Sequence, residues 1–190
     1  MRMKIYTKTG DKGTTGNLLG ERISKDSTFI NLQGDIDELN SSLGYLNALL
    51  KINSTFKYTD KKELMDFIVH IENALYNMGV EISLGFSEIK IKSCHVTELE
   101  EMIDIIYSKT PPQKHFILYS GSEEATYCQV CRSIARRCER VFVKYLNEIN
   151  AETYPESYMY INRLSDYLFA VSRFINYSLN EDETIMKPWI

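Results

Sequence analysis

Apolar residues recur at intervals of three and four positions along five segments of the chain, a spacing that places them on one face of an α-helix. The first two segments carry Ile36, Leu39, Leu43, Leu46 and Leu50, and then Leu64, Ile68, Ile71, Leu75, Met78 and Ile82. A shorter third segment carries Val96, Leu99, Met102 and Ile106. The last two carry Cys131, Ile134, Cys138, Val141 and Tyr145, and then Ile161, Leu164, Leu168, Val171 and Ile175. We therefore predict an all-α fold in which five amphipathic helices pack as a bundle.

Polar residues predict where several helices begin. Ser120-Gly121-Ser122-Glu123 and Asp60-Lys61-Lys62-Glu63 resemble helix N-termini, and Thr97-Glu98-Leu99-Glu100 is a capping-box pattern. Pro111-Pro112 separates the third helix from the fourth, and Pro155 precedes the fifth. No internal repeat or linker divides the chain, so we predict one domain, 1–190. Its parts are an N-terminal loop (1–28), a helical bundle (29–180) and a C-terminal tail (181–190).

Composition excludes several classes of protein. The chain has 190 residues, of which 44% are hydrophobic and 25% charged, and only four are prolines. These values argue against disorder, and no apolar run approaches the roughly 20 residues that span a bilayer. The formal net charge of −4 argues against general nucleic-acid binding. We therefore expect neither a membrane nor a nucleic acid as partner.

The four cysteines are expected to be free thiols. No charged-then-apolar leader precedes Lys4-Ile5-Tyr6-Thr7, which favours a cytoplasmic location and reduced cysteines. Cys128 and Cys131 form a C-x-x-C pair without a second pair at ribbon-like spacing. Buried structural thiols are the first interpretation of this pair, and a metal or redox role is the alternative.

Glycine and threonine alternate in the first 25 residues. The glycines are Gly10, Gly13, Gly16 and Gly20, and the threonines are Thr7, Thr9, Thr14 and Thr15. Such a segment does not form a regular helix, but its hydroxyls and backbone N–H groups suit a phosphate-binding loop. The Walker A spacing is absent. A flexible arm with turns is the alternative.

Half of the eight arginines fall within nine residues, at positions 132, 136, 137 and 140. On a helix, Arg132, Arg136 and Arg140 form one stripe opposite the apolar face. A solvated outer face is the first interpretation. The second is a site for a small polyphosphate, because guanidinium groups pair with phosphate oxygens.

Two further helix faces lie away from the predicted core. The first is a stripe of small residues and one acid, Asp37, Ser41, Gly44 and Ala48. The second is a mixed polar and aromatic face, Asn162, Asp166, Phe169 and Arg173. A carboxylate on the first face is placed to pair with one of the arginines. Helices with two packing faces suggest an oligomer with sites between subunits.

Familiar catalytic motifs are absent from the sequence. None of the three histidines follows a glutamate by three residues, as a di-iron bundle requires, and neither HExxH nor G-x-S-x-G occurs. Nucleophilic catalysis by a protein side chain is therefore poorly supported.

Four motifs, in order from about Ile5 to Tyr177, resemble the PduO-type ATP:cob(I)alamin adenosyltransferases. The first is the N-terminal run Tyr6-Thr7-Lys8-Thr9-Gly10-Asp11-Lys12-Gly13-Thr14-Thr15-Gly16. The second is Gly34-Asp35-Ile36-Asp37-Glu38-Leu39-Asn40. The others are Cys131-Arg132-Ser133-Ile134-Ala135-Arg136-Arg137-Cys138-Glu139-Arg140 and Asn162-Arg163-Leu164-Ser165-Asp166-Tyr167-Leu168-Phe169. The resemblance implies a ferritin-like five-helix bundle, assembled as a homotrimer with ATP between adjacent subunits.

The resemblance also implies a reaction. The 5′-deoxyadenosyl group of ATP passes to the cobalt of cob(I)alamin, which gives adenosylcobalamin and triphosphate. ATP is then the co-substrate, Mg²⁺ accompanies its phosphates, and cobalamin is the acceptor. A reductase and an adenosylcobalamin-dependent enzyme are possible protein partners. A non-catalytic ATP or corrinoid carrier, and simple ATP hydrolysis or phosphoryl transfer, are the alternatives.

Site residues are carried over from the motifs. The residues implied to wrap the nucleotide are Thr7, Lys8, Thr9, Gly10, Thr15 and Gly16, with Lys25 nearby. The neighbouring subunit is implied to contribute Arg136, Arg137, Glu139 and Arg140, and the implied nucleotide-binding residues also include Cys138 and Asn162. Asn162 would place phosphate-bound Mg²⁺, Arg132 would pair with Asp37 across the interface, and Phe116 would displace the lower base of the corrinoid. Arg136, Asn162 and Phe116 are thus the implied catalytic residues.

The sequence departs from the family pattern at two places. Tyr119-Ser120 replaces the usual Pro-Gly after Phe116-Ile117-Leu118, which leaves the shape of the corrinoid-facing loop open. Cys138 stands where alanine is common. The tail Lys187-Pro188-Trp189-Ile190 either covers the site or hangs free.

Overall fold

The computed structural model describes residues 5–188 and contains the five predicted helices. Their bounds are α1 Thr28–Ile52, α2 Tyr58–Ser83, α3 Ser93–Ser108, α4 Glu123–Glu148 and α5 Glu156–Leu179. Helix α4 packs against α1 and α5, α5 packs against α3, and α1 packs against α2. The prediction of an all-α five-helix bundle is confirmed. No helix within residues 5–188 is long and apolar enough to cross a bilayer.

The predicted apolar stripes form one hydrophobic core. The stripe residues of α1 and α2 are all at most 4% exposed, and those of α5 are fully buried. Cys128, Cys131 and Cys138 of α4 lie in the same core beside Ala135 and Phe142. Only Val141 and Tyr145, at the end of the α4 stripe, and Met102 of α3 are partly exposed. Periodicity therefore located the core because each predicted stripe is a buried apolar face, although α5 also buries Tyr167 and Phe174 outside its stripe.

Helix starts were predicted with mixed success. Ser122 caps α4 by accepting a hydrogen bond from the Ala125 N–H at 3.2 Å, as the sequence suggested. Helix α2 starts at Tyr58, two residues before the predicted Asp60. The capping box at Thr97 is wrong, because α3 begins at Ser93.

The earlier start of α3 has a local cause. The buried carboxylate of Glu81 accepts the backbone N–H groups of Lys90 and Ile91 at 2.6 and 2.9 Å. His95 Nδ1 then accepts the Lys92 N–H at 3.0 Å. These acceptors come from the end of the preceding helix and from a histidine, so the usual capping residues did not mark this start.

The N-terminal loop contains a short hairpin that the sequence did not predict. Strands β1 (Thr14–Gly16) and β2 (Arg22–Ser24) pair antiparallel, with Thr15 opposite Ile23. The Asn17 side-chain oxygen accepts the N–H groups of Leu19 and Glu21, which closes the connecting turn. Strands of three residues are too short to show alternation in a sequence.

The C-terminal tail folds back on the bundle. After α5, Asn180 adopts a left-handed conformation with φ of 58°, and the chain reverses direction. The Leu118 N–H donates to the Thr184 carbonyl and the Met186 N–H to the Phe116 carbonyl, both at 2.8 Å. The tail thus runs antiparallel to residues 116–120, which we call the Phe116 segment. Trp189 and Ile190 lie outside the described residues.

Candidate functional site

Arg22 organises the N-terminal loop from within the hairpin. Its Nη2 donates to the carbonyls of Thr9 and Thr14 at 2.6 and 2.8 Å, and to the Thr14 hydroxyl at 2.6 Å. A guanidinium that joins the two halves of the loop restricts its conformation. Sequence reasoning missed Arg22, because it lies outside the glycine and threonine pattern.

Gly10 and Lys25 lie close together in the N-terminal loop. A Cβ at Gly10 would lie 3.1 Å from Lys25 Nζ, so the absence of a side chain lets the ammonium approach the backbone. The Lys25 N–H donates to the Gly13 carbonyl at 2.9 Å. Thr7, Lys8, Thr9 and Gly16 are exposed, while Gly10 and Thr15 are partly buried. These hydroxyl, ammonium and backbone groups are therefore available to a ligand at the loop.

Arg132, Arg136 and Arg140, which we call the arginine stripe, lie on the outer side of α4. Arg136 and Arg140 are exposed, and Arg132 is partly buried. Arg140 Nη1 donates to the backbone carbonyl of Arg136 at 2.9 Å, which holds the Arg140 side chain along the helix surface. Among residues 5–188, no carboxylate forms an ion pair with any of the three. An acidic protein thus presents a row of uncompensated positive charge, which suits a polyanion.

Arg137 has a different environment. Its Nε lies 3.1 Å from Asp35 Oδ1, and its Nη2 forms an ion pair with Glu38. Both acids belong to α1, so this arginine joins α4 to α1 within the chain. The implied phosphate contact of Arg137 stays a prediction, and a phosphate would compete with two carboxylates for it.

Cys138 is a buried member of the candidate set. It was grouped with the nucleotide-binding residues, but its side chain is fully buried in the core. Burial also raises the pKa of its thiol, which keeps the group neutral. The burial of this side chain does not support a direct contact between it and a ligand, whereas Glu139 beside it is partly exposed.

The small-residue face of α1 is accessible. Asp37, Ser41 and Ala48 are exposed and Gly44 is partly buried. Asp37 borders a groove of about 240 Å³ between α1 and α2, which Leu18 of the hairpin also lines. Asp37 and Arg132 do not pair within the chain. The predicted pair between copies therefore stays a prediction.

The outer face of α5 is confirmed only in part. Asn162 and Phe169 are partly exposed and Asp166 is exposed, whereas Arg173 is 4% exposed because residues outside α5 cover it. Arg173 Nε donates to Glu183 in the tail at 2.5 Å, and its Nη2 donates to the Pro111 carbonyl at 2.9 Å. The tail covers this arginine, which helical periodicity alone does not reveal.

Phe116 stands at the centre of an exposed apolar surface. Its side chain is 78% exposed. Four other large side chains of the two paired segments are also exposed, namely Leu118, Tyr119, Ile185 and Met186. The following turn is fixed by Asn176, whose amide donates to the Ser120 carbonyl and accepts the Ser122 N–H. Contiguous exposed apolar groups of this kind mark a binding surface.

The described residues provide no protein metal centre. Within residues 5–188, no group of three or more His, Cys, Asp or Glu side chains is placed to hold a metal ion. Cys128 and Cys131 are free and buried, and the Cys128 thiol donates to the Leu168 carbonyl at 3.1 Å. The structural interpretation of the C-x-x-C pair is therefore the one that this geometry supports.

The family model for cobalamin adenosyltransferase matches residues 5–175, which include the loop, the arginine stripe and the Phe116 segment. The chain belongs to the cobalamin adenosyltransferase family. This membership confirms the resemblance inferred from the four motifs.

Relatives of known activity align with most of the chain. The corrinoid adenosyltransferase of Bacillus subtilis (strain 168) is 38% identical over 176 residues, covering 92% of this chain and 87% of the relative. The corrinoid adenosyltransferase of Homo sapiens is 34% identical over 179 residues, covering 90% of this chain and 68% of the relative. This member of the cobalamin adenosyltransferase family is an enzyme that adenosylates corrinoids with ATP.

Solved structures share the fold. A phenylalanine-to-alanine variant of the PduO-type ATP:corrinoid adenosyltransferase from Lactobacillus reuteri, complexed with cobalamin and ATP, matches with a TM-score of 0.86 at 32% identity. The match covers 97% of this chain and 100% of that chain. An arginine-to-lysine variant from the same organism, complexed with ATP, matches with a TM-score of 0.82. The bundle of this family member is therefore that of the PduO-type enzymes.

Proposed function

We propose that the chain transfers the 5′-deoxyadenosyl group of ATP to the cobalt of cob(I)alamin. The reduced cobalt attacks C5′ with an electron pair, so that a Co–C bond forms. The C5′–O bond breaks, and triphosphate leaves with the bonding electrons. Because the nucleophile belongs to the substrate, the protein needs no nucleophilic side chain. Its part is to align cobalt with C5′ and to stabilise charge on the leaving triphosphate.

The observation that carries this proposal is the uncompensated arginine stripe. Arg136 and Arg140 are exposed on the outer face of α4, and they lack acidic partners among the described residues. Triphosphate carries several negative charges, and charge-assisted hydrogen bonds from guanidinium groups are among the strongest available for it. Arg136 is our candidate for stabilising the leaving group, with Arg140 and Glu139 contacting the rest of the nucleotide.

The loop and the stripe support a site between subunits. Within residues 5–188, no hydrogen bond or ion pair joins residues 7–25 to the arginine stripe. Leu18 of the hairpin lies beside the groove of α1 and α2, whereas the stripe faces outward from α4. We infer a homotrimer in which the loop of one subunit and the stripe of its neighbour enclose ATP. Asp37 and Arg132 would then pair across the contact.

We infer that Mg²⁺ would bind to the ATP phosphates in this arrangement. The described part of the chain has no cluster of acidic or histidine ligands, and Mg²⁺ commonly keeps phosphate and water ligands. Asn162 is partly exposed, and its side-chain amide has no hydrogen-bond partner among residues 5–188. Asn162 would therefore orient the phosphate-bound ion, which supplies charge neutralisation to the departing triphosphate.

Phe116 is our candidate for the corrinoid side of the site. A large aromatic group on an exposed apolar surface suits a flat macrocycle. By displacing the lower base it would leave a four-coordinate Co(II) that is easier to reduce. The electron donor, the downstream enzyme and a cytoplasmic location stay predictions.

One incubation tests the proposal against its alternatives. The protein is mixed with MgATP and chemically reduced cobalamin, and the products are separated by chromatography. We expect adenosylcobalamin and intact triphosphate in equal amounts. ADP as the product would indicate phosphoryl transfer or hydrolysis. Binding of both molecules without turnover would indicate a carrier.

A further inference from the structure

The side chain of Tyr119 lies over the guanidinium of Arg132. Arg132 Cζ is 4.7 Å from the centroid of the Tyr119 ring, within the range of a cation–π contact. Tyr119 belongs to the Phe116 segment, and Arg132 belongs to α4. The contact therefore joins the apolar surface around Phe116 to the arginine stripe.

Arg132 is a fixed support for this contact. Its Nε donates to Gln129 Oε1 at 2.6 Å, and Gln129 Nε2 donates to the Ser172 hydroxyl at 2.5 Å. Gln129 is 6% exposed and Ser172 is 2% exposed, so the network is anchored in the packed α4–α5 contact. Removing the Tyr119 ring would therefore leave the guanidinium held by Gln129, whereas the Phe116 segment would lose its contact with Arg132.

Tyr119 also lies between the two candidate ligand surfaces. It is 56% exposed, and it lines a cleft of about 460 Å³ on the outer face of α4. Ser133, Arg137 and Arg140 lie on other walls of that cleft. Three residues earlier in the Phe116 segment, Phe116 is exposed to solvent. The Tyr119 side chain thus contacts the arginine stripe and also forms part of the apolar surface around Phe116.

We propose that Tyr119 is a positioning residue that sets the orientation of the Phe116 segment for the corrinoid by stacking on Arg132. This inference rests on the proposed function. The ring stacked on a fixed arginine restrains the backbone of Tyr119-Ser120, at the end of the Phe116 segment.

The test compares Tyr119→Leu and Tyr119→Phe with wild type, with Tyr154→Leu as the matched control. Tyr154 is also exposed, but its ring lies 4.7 Å from that of Tyr158 and it lies at the α4–α5 connection. Initial rates are measured with chemically reduced cobalamin, varying each substrate at saturation of the other. We expect Tyr119→Leu to raise the KM for cobalamin about three- to tenfold and to change the KM for ATP less than about twofold. Tyr119→Phe keeps the ring and is expected to restore the wild-type KM.

A second variant and a spectroscopic measurement complete the test. Tyr119→Gln removes the ring without adding exposed apolar surface, and we expect it to reproduce the leucine result. Both variants should also lower the fraction of bound cob(II)alamin that loses its lower base in the presence of ATP. Equal KM values for Tyr119→Leu and Tyr154→Leu would overturn the inference, as would an equal rise in both KM values. If wild type itself makes no adenosylcobalamin, the proposed function fails instead.

Discussion

Glu183 of the C-terminal tail and Arg173 of α5 form a two-point ion pair. Arg173 Nε donates to one carboxylate oxygen at 2.5 Å, and Nη2 lies 3.3 Å from the other. The arginine is 4% exposed, and Tyr107 lies beside its guanidinium. A buried charge that loses its partner is costly, so this pair anchors the tail to the bundle.

We first predict that Glu183→Gln destabilises the protein. The substitution removes the negative charge from a buried arginine, and we expect the free energy of unfolding to fall by about 1–3 kcal/mol, less than for a fully buried pair because Glu183 is partly exposed. Urea unfolding at a fixed protein concentration measures the change. Glu181→Gln is the control, because Glu181 forms no ion pair within residues 5–188. Equal unfolding curves for the two variants would contradict the anchoring role.

The second prediction concerns Arg136. Arg136→Ala removes a charge-assisted contact to the leaving triphosphate, and we expect a loss of about 2–4 kcal/mol of transition-state stabilisation. Transfer rates at saturating ATP and cobalamin measure it, while sedimentation checks that the assembly is intact. Lys144→Ala on the same helix is the control, since the one ion pair of Lys144 within residues 5–188 is with the exposed Glu148 at 3.8 Å. An unchanged rate would remove Arg136 from the phosphate site.

The third prediction concerns Asp37. In the proposed trimer, Asp37→Ala leaves Arg132 without its carboxylate at a close contact, which should cost about 1–3 kcal/mol. We expect weaker assembly in sedimentation velocity or a higher Kd for ATP in titration. Asp104→Ala on α3 is the control, because Asp104 is exposed and has no ion pair in the described chain. A trimer and an ATP affinity equal to those of the control would exclude the interface pair.

The fourth prediction concerns the thiols. Burial raises the pKa of Cys131 to about 12 and raises those of Cys128 and Cys138 as well. Only Cys94 is exposed, so we expect one rapidly titrating thiol in the native protein and four after denaturation. Cys94→Ser should abolish the rapid phase. A rapid phase that persists in this variant would show that the core thiols are accessible.

The same shifts give a pH dependence of stability. The folded chain keeps protons on buried thiols that the unfolded chain releases near pH 8.5. Their contribution to stability is therefore fully present below about pH 8.5 and is lost as the pH rises toward the folded pKa. We expect the free energy of unfolding to fall between about pH 9 and 10, and to fall less in a Cys131→Ala variant.

Local patterns predicted the helices well and the contacts between distant segments poorly. Leu39, Leu75 and Leu168 were assigned to the core because helix periodicity records burial directly. The same periodicity placed Arg173 on the side of α5 away from the core but did not reveal that the tail covers it, because the tail comes from another part of the chain. The pairing of Arg137 with Asp35 and Glu38 was missed for a similar reason. It depends on how α1 and α4 are rotated against each other, which neither helix encodes alone.

The pairing of residues 116–118 with residues 184–186 has a consequence for local stability. Helices α4 and α5 lie between the two paired segments in the chain, so their pairing closes a long loop. The entropy cost of closing this loop is offset only after both helices have packed. The pairing is therefore expected to form late in folding and, with few backbone hydrogen bonds, to open first. Amide protons of Leu118 and Met186 should exchange with solvent faster than those inside the helices. The surface around Phe116 thus has an opening equilibrium of its own, separate from the unfolding of the bundle.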